Sequence, residues 1–186
     1  MSLLRVIAGS ARGSILSAPK SREVRPTPNR VKKSIFDILG QRVIQARVID
    51  LFAGSGSLGI EALSRGARSC FFVDNRYQCY QIIIRNLVKT KLMFKARVFK
   101  GDARRKVHEF GEQEFAADLI FLDPPYDSKL IPPVLEAVAG TNILAQEGIL
   151  VIEHSTKYRP QLEGYSPLVQ KEYGDSGITL LCKSGV

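Results

Sequence analysis

Hydrophobic and polar positions divide most of the chain into short apolar runs that alternate with amphipathic stretches. The apolar runs, each five to seven residues long, predict strands buried on both faces of a parallel sheet. The predicted strands are 48–52, 70–74, 96–102, 117–123 and 148–154. Helices are predicted at 57–67, at about 77–91, after residue 102 and at 132–140. This alternation predicts an α/β fold with helices on both faces of a mostly parallel sheet.

The C-terminal part of the chain breaks the alternation. Two further strand-like runs, 167–174 and 177–184, are joined only by Asp175 and Ser176. So short a connection cannot contain a crossover helix, so these strands must pair as an antiparallel hairpin. We therefore expect a seven-stranded sheet that ends in an antiparallel hairpin.

The segment before the first of these strands is predicted to contain a hairpin and a helix. Residues 4–18 read as two short strands around a turn rich in Gly, Ser and Arg. Thr27 and Pro28 suit the N-cap and first position of a helix, and Gly40 suits its C-cap. The apolar face of this helix would comprise Val31, Ile35, Ile38 and Leu39. Its cationic residues, expected mainly on the other faces, are Arg30, Lys32 and Lys33. We expect a basic hairpin arm over 1–24 and a main domain over 25–186, which together form a single compact domain. The arm would hold a polyanion or cover an apolar face of the core.

Positive charge is concentrated in two parts of the sequence. The 186 residues carry a formal net charge of +9, of which residues 1–49 contribute +8 and residues 76–106 contribute +9, while the rest sums to −8. Two basic segments on an acidic body are typical of a protein that binds a polyphosphate, although surface lysines that only confer solubility would look similar. Charge alone does not separate RNA from DNA.

Several classes of protein are disfavoured by composition. No apolar run reaches the roughly 18–20 residues that span a bilayer, and the N-terminus lacks the layout of a signal peptide. Cys70, Cys79 and Cys182 form no Cys-x-x-Cys pair, which suits a reducing cytoplasm and disfavours a structural zinc site. We expect a cytoplasmic protein without a membrane anchor or a metal.

The first candidate site is the glycine-rich turn after the first of the alternating strands. In DLFAGSGSLG, glycines allow close approach of a ligand, and the following helix offers free N–H groups at its start. This pattern alone also fits a dinucleotide site. Asp50 disfavours a pyrophosphate and suits a cationic amino-acid head, such as that of S-adenosylmethionine. Asp74 is placed to accept from ribose hydroxyls and Asp102 from the adenine amine, although each aspartate would also serve as a helix N-cap.

The second candidate site is Asp123-Pro124-Pro125-Tyr126, at the end of the fourth alternating strand. The lone pair of an aromatic amine is delocalised into its ring, so the amine is a poor nucleophile. A carboxylate from Asp123 and a carbonyl fixed by Pro124 would each accept one N–H and favour a pyramidal nitrogen. Tyr126 would stack on the base and orient the amine. The alternative reading is a turn after a strand, since Asp-Pro-Pro is common in turns.

These motifs together resemble a known family. DLFAGSGSLGIEALSRGA, FVDNRY, Asn86-Leu87 and DPPY, with the N-terminal VIAGSARG and RPTPNRVKKSIFDIL, are similar to RsmD-type 16S rRNA (guanine-N2) methyltransferases from about Leu4 to Leu181. The resemblance implies a Rossmann-like, seven-strand class I methyltransferase fold, and methyl transfer from S-adenosylmethionine to guanine N2 in small-subunit rRNA. The implied cofactor site comprises Asp50, Phe52, Gly54, Ser55, Gly56, Asp74, Asn75, Asp102, Ala103 and Asp123. Three positions depart from the family pattern, with Lys33 in place of Glu, Asn29 in place of Asp and Asp37 in place of Asn.

Other functions stay open at this point. DPPY also serves adenine-N6 and cytosine-N4 methyltransferases, and GSGSLG alone would fit a nicotinamide-dependent oxidoreductase. A silent RNA-binding module would not need DPPY. We expect a monomer that binds rRNA or the assembling small subunit. The side chains expected to reach phosphates are Arg5, Arg12, Arg25, Arg30 and Lys32.

Overall fold

The computed structural model describes residues 3–19, 29–124, 128–158 and 163–185. The predicted helix start at Thr27 and Pro28 lies outside the described residues, as do Arg25, Pro125 and Tyr126.

The described residues form one central sheet of seven strands, in the order β3-β2-β1-β4-β5-β7-β6. Strands β1 to β5 pair in parallel, whereas β7 is antiparallel to both β5 and β6. The strands are β1 (Arg47–Leu51), β2 (Ser69–Asp74), β3 (Ala96–Lys100), β4 (Ala117–Leu122), β5 (Leu144–Ser155), β6 (Tyr165–Tyr173) and β7 (Ser176–Lys183). This topology confirms the predicted Rossmann-like α/β fold with its C-terminal antiparallel hairpin.

Five α-helices of the described chain cover the two faces of the sheet. They are α1 (Asn29–Leu39), α2 (Ser57–Ser64), α3 (Tyr77–Lys89), α4 (Ala103–Glu112) and α5 (Ile131–Ala139). Helices α1, α2 and α3 pack on one face, and α4 and α5 pack on the other. Each face of the sheet thereby has its own buried apolar cluster. This double cover explains why β1 and β4 are mainly apolar, because both faces of these central strands are largely buried.

The N-terminal arm is part of the core of the protein. Its two short segments meet at the antiparallel bridge between Arg5 and Ile15. Leu4, Val6 and Leu16 belong to the apolar cluster of the α1–α3 face. The arm therefore packs on the apolar face formed by α1 to α3.

The order of the strands determines where a ligand would bind. From β1 the chain moves outward through β2 and β3, and then returns to place β4 on the other side of β1. Ligands of open parallel sheets bind at such a reversal, outside the carboxyl ends of the strands. The glycine-rich turn after β1 and the Asp-Pro sequence after β4 both lie at this edge.

Candidate active site

The turn between β1 and α2 has a backbone that glycine favours. Gly54 and Gly56 have φ values of 57° and 77°, in the left-handed region. Phe52 also has a left-handed φ of 60°, which is costly for a residue with a bulky side chain. Strain of this kind persists where the surrounding structure enforces it, and it is concentrated at functional sites. The turn brings its backbone to the open edge of the sheet, in front of α2.

Asp50 anchors this turn from inside the sheet. Its carboxylate accepts a hydrogen bond of 2.9 Å from the backbone N–H of Gly59, in the first turn of α2. A Cβ on Gly59 would lie 2.3 Å from the ring of Phe72, so only glycine allows α2 to lie so close to β2. The third glycine of the motif therefore serves helix packing, and it brings its N–H within reach of Asp50.

Burial gives Asp50 an unusual protonation behaviour. The side chain is 1% exposed. Burial, together with the nearby charges of Asp123 and Asp74, raises the pKa of Asp50 to about 8, and the Gly59 N–H only partly opposes this. A carboxyl group held so far from water and beside other acids is stabilised in its ionised form by an incoming cation. This chemistry fits the cationic head of an amino acid.

Asp74, at the end of β2, is tied to the glycine-rich turn. It accepts hydrogen bonds from the backbone N–H of Gly54 at 2.8 Å and from that of Arg76 at 3.0 Å. The guanidinium of Arg76 also forms an ion pair with it at 3.0 Å. Arg76 was not among the predicted site residues, although its place two residues after Asp74 is a local signal for such a pair. A ribose at Asp74 would share the carboxylate with this guanidinium.

Asp102 and Ala103 lie after β3, where the adenine contact is predicted. Asp102 is the N-cap of α4, and its carboxylate accepts from the backbone N–H of Arg105 at 3.0 Å. Ala103 is buried in the first turn of that helix. Asp102 therefore has the helix-capping role that the sequence allowed. Its second role, as an acceptor for adenine, stays a prediction.

Asp123 and Pro124 directly follow β4, beside the strand that carries Asp50. Leu51 pairs with Leu122, the residue before Asp123. Adjacent strands are about 4.8 Å apart, so the two aspartates are neighbours at the sheet edge. Both Asp123 and Pro124 are partly exposed, so a ligand can approach them from outside.

The burial of Lys32 contradicts its predicted contact with RNA. Its side chain is 0% exposed, because the helix face it occupies is covered by the arm and α2. The ammonium donates to the carbonyl oxygen of Arg5 at 2.7 Å and to the Ser57 hydroxyl at 2.9 Å, and Glu61 lies 3.7 Å away. Burial lowers the pKa of Lys32 to about 8. A side chain in this position cannot reach a phosphate, and it joins α1, the arm and the start of α2.

Asn86 of α3 makes a second connection between the arm and the glycine-rich turn. Its amide donates to the carbonyl oxygens of Ser17 and Ser55, at 2.9 and 2.8 Å. Its side-chain oxygen accepts from the N–H of Ser17 at 2.9 Å. Asn86 was part of the family resemblance without an assigned role, and the structure explains why an amide is needed there.

The remaining described candidates for RNA contact are exposed and lie in two places. Arg5 and Arg30 lie near the start of α1, and the Arg30 guanidinium is 5.8 Å from the centre of the Tyr173 ring. Arg12 lies in the turn of the arm, where the neighbouring Ser10 N–H donates to the Ser64 carbonyl at the end of α2. Arg12 is thus about one helix length from the glycine-rich turn.

Two kinds of feature are absent from the part of the chain that the structure describes. No group of three or more His, Cys, Asp or Glu residues there is arranged to hold a metal ion. None of its helices has the length and apolar character needed to cross a membrane.

Comparisons with known proteins give one consistent result. A family model described as Conserved hypothetical protein 95 matches residues 4–182. The chain is 39% identical to the rRNA methyltransferase candidate YlbH of Bacillus subtilis, over 98% of this chain and 100% of that protein. It is 33% identical to Ribosomal RNA small subunit methyltransferase D of Escherichia coli, over 81% of this chain and 74% of that protein. Among solved structures, the Escherichia coli methyltransferase candidate yhhF superposes with a TM-score of 0.85 at 28% identity, covering 98% of both chains.

Proposed function

The chain belongs to the Conserved hypothetical protein 95 family, and on that premise we propose that it is an S-adenosylmethionine-dependent rRNA methyltransferase. We propose further that its target is the exocyclic N2 amine of a guanine in 16S rRNA. The observation that carries the proposal is the position of Asp123, which follows β4 beside Asp50 and the glycine-rich turn. The edge of the sheet thus presents an amine acceptor next to a site suited to a cationic donor.

The donor site is supported by the acidic residues at the ends of β1 and β2. Asp50, buried beside other acids, favours a ligand that brings a positive charge. Asp74 supplies carboxylate oxygens for ribose hydroxyls, and the left-handed turn at Gly54 and Gly56 leaves room for close approach. S-adenosylmethionine would supply an electrophilic methyl group on its sulfonium. A pyrophosphate at the same place would bring no positive charge, so Asp50 and Asp74 would not stabilise it.

The amine site rests on Asp123 and Pro124. Asp123 accepts one N–H of the target amine, and the carbonyl oxygen of Pro124 accepts the other. Both contacts strengthen as the nitrogen becomes pyramidal and positively charged, so they favour the transition state over the bound substrate. Tyr126, outside the described residues, remains the proposed stacking partner of the base, and Pro125 lies beside it in the sequence.

The choice of guanine N2 over other amines rests on the family. Asp-Pro-Pro-Tyr would equally hold adenine N6 or cytosine N4, so the site geometry fixes the class of amine only. The relatives named small-subunit rRNA methyltransferases favour 16S rRNA, as naked RNA or in an assembling subunit. A monomer in the cytoplasm would suffice for this activity.

Transfer of a labelled methyl group tests the proposal. Unmethylated 16S rRNA and unmethylated small subunits are incubated with labelled S-adenosylmethionine, and the modified nucleoside is identified by mass spectrometry. We expect N2-methylguanosine. We also expect Asp123→Asn to lower the rate by on the order of 100-fold or more, with S-adenosylhomocysteine affinity nearly unchanged. N6-methyladenosine or N4-methylcytosine as the product would refute the guanine assignment, and wild-type turnover by Asp123→Asn would refute the role of that carboxylate.

A further inference from the structure

A second concave surface lies between α1 and β6, on the α1–α3 face of the sheet. This groove has a volume of about 400 Å³ and is lined by residues of both elements. Among the described residues that line it, Arg30, Lys33 and Lys171 are cationic and Asp37 is acidic. The lining therefore carries a net positive charge, and it contains an aromatic ring, that of Tyr173.

The walls of the groove are held in place by contacts between α1 and β6. The hydroxyl groups of Ser34 and Tyr173 are hydrogen-bonded to each other. The guanidinium of Arg30 lies over the Tyr173 ring, 5.8 Å from its centre. Side chains alternate along a strand, so Lys171 lies on the same face of β6 as Val169 and Tyr173, which pack against the α1–α3 face. The backbones of α1 and β6, which carry the cationic residues, are therefore held in a fixed relative position.

The groove opens at the same edge of the sheet as Asp123. Tyr173 pairs with Ser176, and Ser176 pairs with Ser155 at the carboxyl end of β5. From β4 to β6 the sheet crosses β5 and β7, so three strand spacings of about 4.8 Å place Tyr173 roughly 14 Å to the side of Asp123. A nucleic-acid strand whose target base lies at Asp123 can therefore continue into the groove.

We propose that this groove, called here the α1–β6 groove, binds the phosphate backbone of the RNA substrate beside the target nucleotide. The inference rests on the proposed function and adds a contact surface to it. Lys33 forms an exposed ion pair with Asp37 at 2.6 Å, with 63% and 53% of the two side chains exposed. An exposed pair of this kind contributes little to stability, so a phosphate can replace the carboxylate as the partner of Lys33.

Charge removal at the groove tests the proposal. RNA binding by the full-length protein is measured by fluorescence anisotropy, with an unmethylated 16S rRNA fragment, over a series of salt concentrations. Lys33→Gln with Lys171→Gln should weaken binding roughly tenfold or more at about 0.15 M salt, and should lower the salt slope by between one and two. The rate at saturating RNA and the affinity for S-adenosylhomocysteine should stay within about twofold of wild type.

A matched double variant controls for the loss of two positive charges. Lys183 lies at the other end of the same β-hairpin, paired with Tyr165, and Arg68 is exposed just before β2. Both are at the amino edge of the sheet, away from Asp123. Lys183→Gln with Arg68→Gln should change RNA affinity by less than about threefold.

Removal of the groove's carboxylate tests the sign of the effect. Asp37→Asn frees Lys33 and raises the positive charge, so it should tighten RNA binding several-fold, whereas Glu163→Gln, near the amino edge, should not. A purely structural role of the Lys33–Asp37 pair would give no gain in affinity. The proposal is overturned if the two double variants bind alike, or if Asp37→Asn binds no more tightly than Glu163→Gln.

The same measurements distinguish failure of the groove proposal from failure of the proposed function. If wild type methylates rRNA but the groove variants match their controls, the groove proposal fails and the proposed function stands. If wild type neither binds nor methylates rRNA, both fail.

Discussion

The protonation of Asp50 is the residue-scale feature with the most direct functional consequence. With its pKa raised to about 8, Asp50 is mostly protonated at about pH 6.5 when the site holds no ligand. The α-ammonium group of S-adenosylhomocysteine, which lies beside its own carboxylate, is charged at that pH and favours the ionised form of Asp50. Binding of S-adenosylhomocysteine at about pH 6.5 should therefore release close to one proton. Titration calorimetry in two buffers of different ionisation enthalpy measures that proton.

The Asp50→Asn variant is the control for this proton release. It should bind the ligand more weakly and release no proton at about pH 6.5. If wild type binds without releasing a proton, the amino-acid head does not lie against Asp50.

Lys32 and Lys33 are neighbours in sequence with opposite environments. Lys32 is buried with three oxygen partners, whereas Lys33 lies on the surface with Asp37. Lys32→Met leaves the Arg5 carbonyl and the Ser57 hydroxyl without a donor in a dry site, so we expect a loss of about 2–3 kcal/mol in the free energy of unfolding. Lys33→Met should cost less than about 1 kcal/mol. Urea unfolding compares the two, and equal losses would contradict the interpretation.

This difference also shows what could not be predicted from the sequence. Both lysines are polar residues in an amphipathic helix, and helical periodicity placed both outside the apolar face. Lys32 is buried because the arm, which lies far from α2 in sequence, folds back between α1 and α2. A local pattern contains no information on that long-range contact. The ends of β1, β2 and β4 were easier to predict, since a short, mainly apolar run marks each strand. Asp50, Asp74 and Asp123 each lie within one residue of the end of their strand.

At the scale of elements, the arm has a structural role in addition to the RNA contacts expected of its basic residues. Glu61 accepts from the backbone N–H groups of Ile7 and Ala8, and the Ser64 hydroxyl accepts from that of Ala11. Leu4, Val6 and Leu16 are buried beneath it. The arm thus completes the α1–α3 face, and its basic residues are carried on a structural element.

Deletion of residues 1–22 should therefore destabilise the whole domain. Burial of Leu4, Val6 and Leu16 contributes about 1.5–3 kcal/mol each, which together is comparable with the 5–15 kcal/mol that stabilises a typical domain. We expect the deleted protein to be insoluble, or to melt more than about 10 °C below wild type. Thermal melting measures this. A deleted protein with wild-type stability would show that the arm is a dispensable appendage.

The matched control for this deletion keeps the arm and removes its exposed charges. Arg5→Gln with Arg12→Gln leaves the buried side chains in place, so its melting temperature should stay within about 2 °C of wild type. Weaker RNA binding by this variant would assign an RNA-binding role to the arm that the deletion cannot test.

At the scale of the whole molecule, the strand order distinguishes a methyltransferase fold from a dinucleotide-binding fold, which the glycine-rich motif alone does not. GSGSLG by itself fits a dinucleotide site, but the antiparallel strand β7 between β5 and β6 is the arrangement predicted for a methyltransferase sheet. The two-residue connection between β6 and β7 made this hairpin predictable. The packing of α1 and the arm on one face of the sheet was not predictable, because it depends on contacts between segments that are distant in sequence.

Ligand-dependent melting tests the donor site in the intact protein. A ligand at 100 times its dissociation constant stabilises the folded state by about 2.7 kcal/mol. For a domain of this size each kcal/mol raises the melting temperature by roughly 2–4 °C, so S-adenosylhomocysteine should raise it by about 5–10 °C. NADH should leave it unchanged, because its pyrophosphate brings no positive charge to the acidic residues at the glycine-rich turn. Asp123→Asn should keep most of the shift with S-adenosylhomocysteine, since its carboxylate is proposed to act chiefly on the target amine. A shift with NADH in place of S-adenosylhomocysteine would revive the oxidoreductase reading and remove the basis for the methyltransferase proposal.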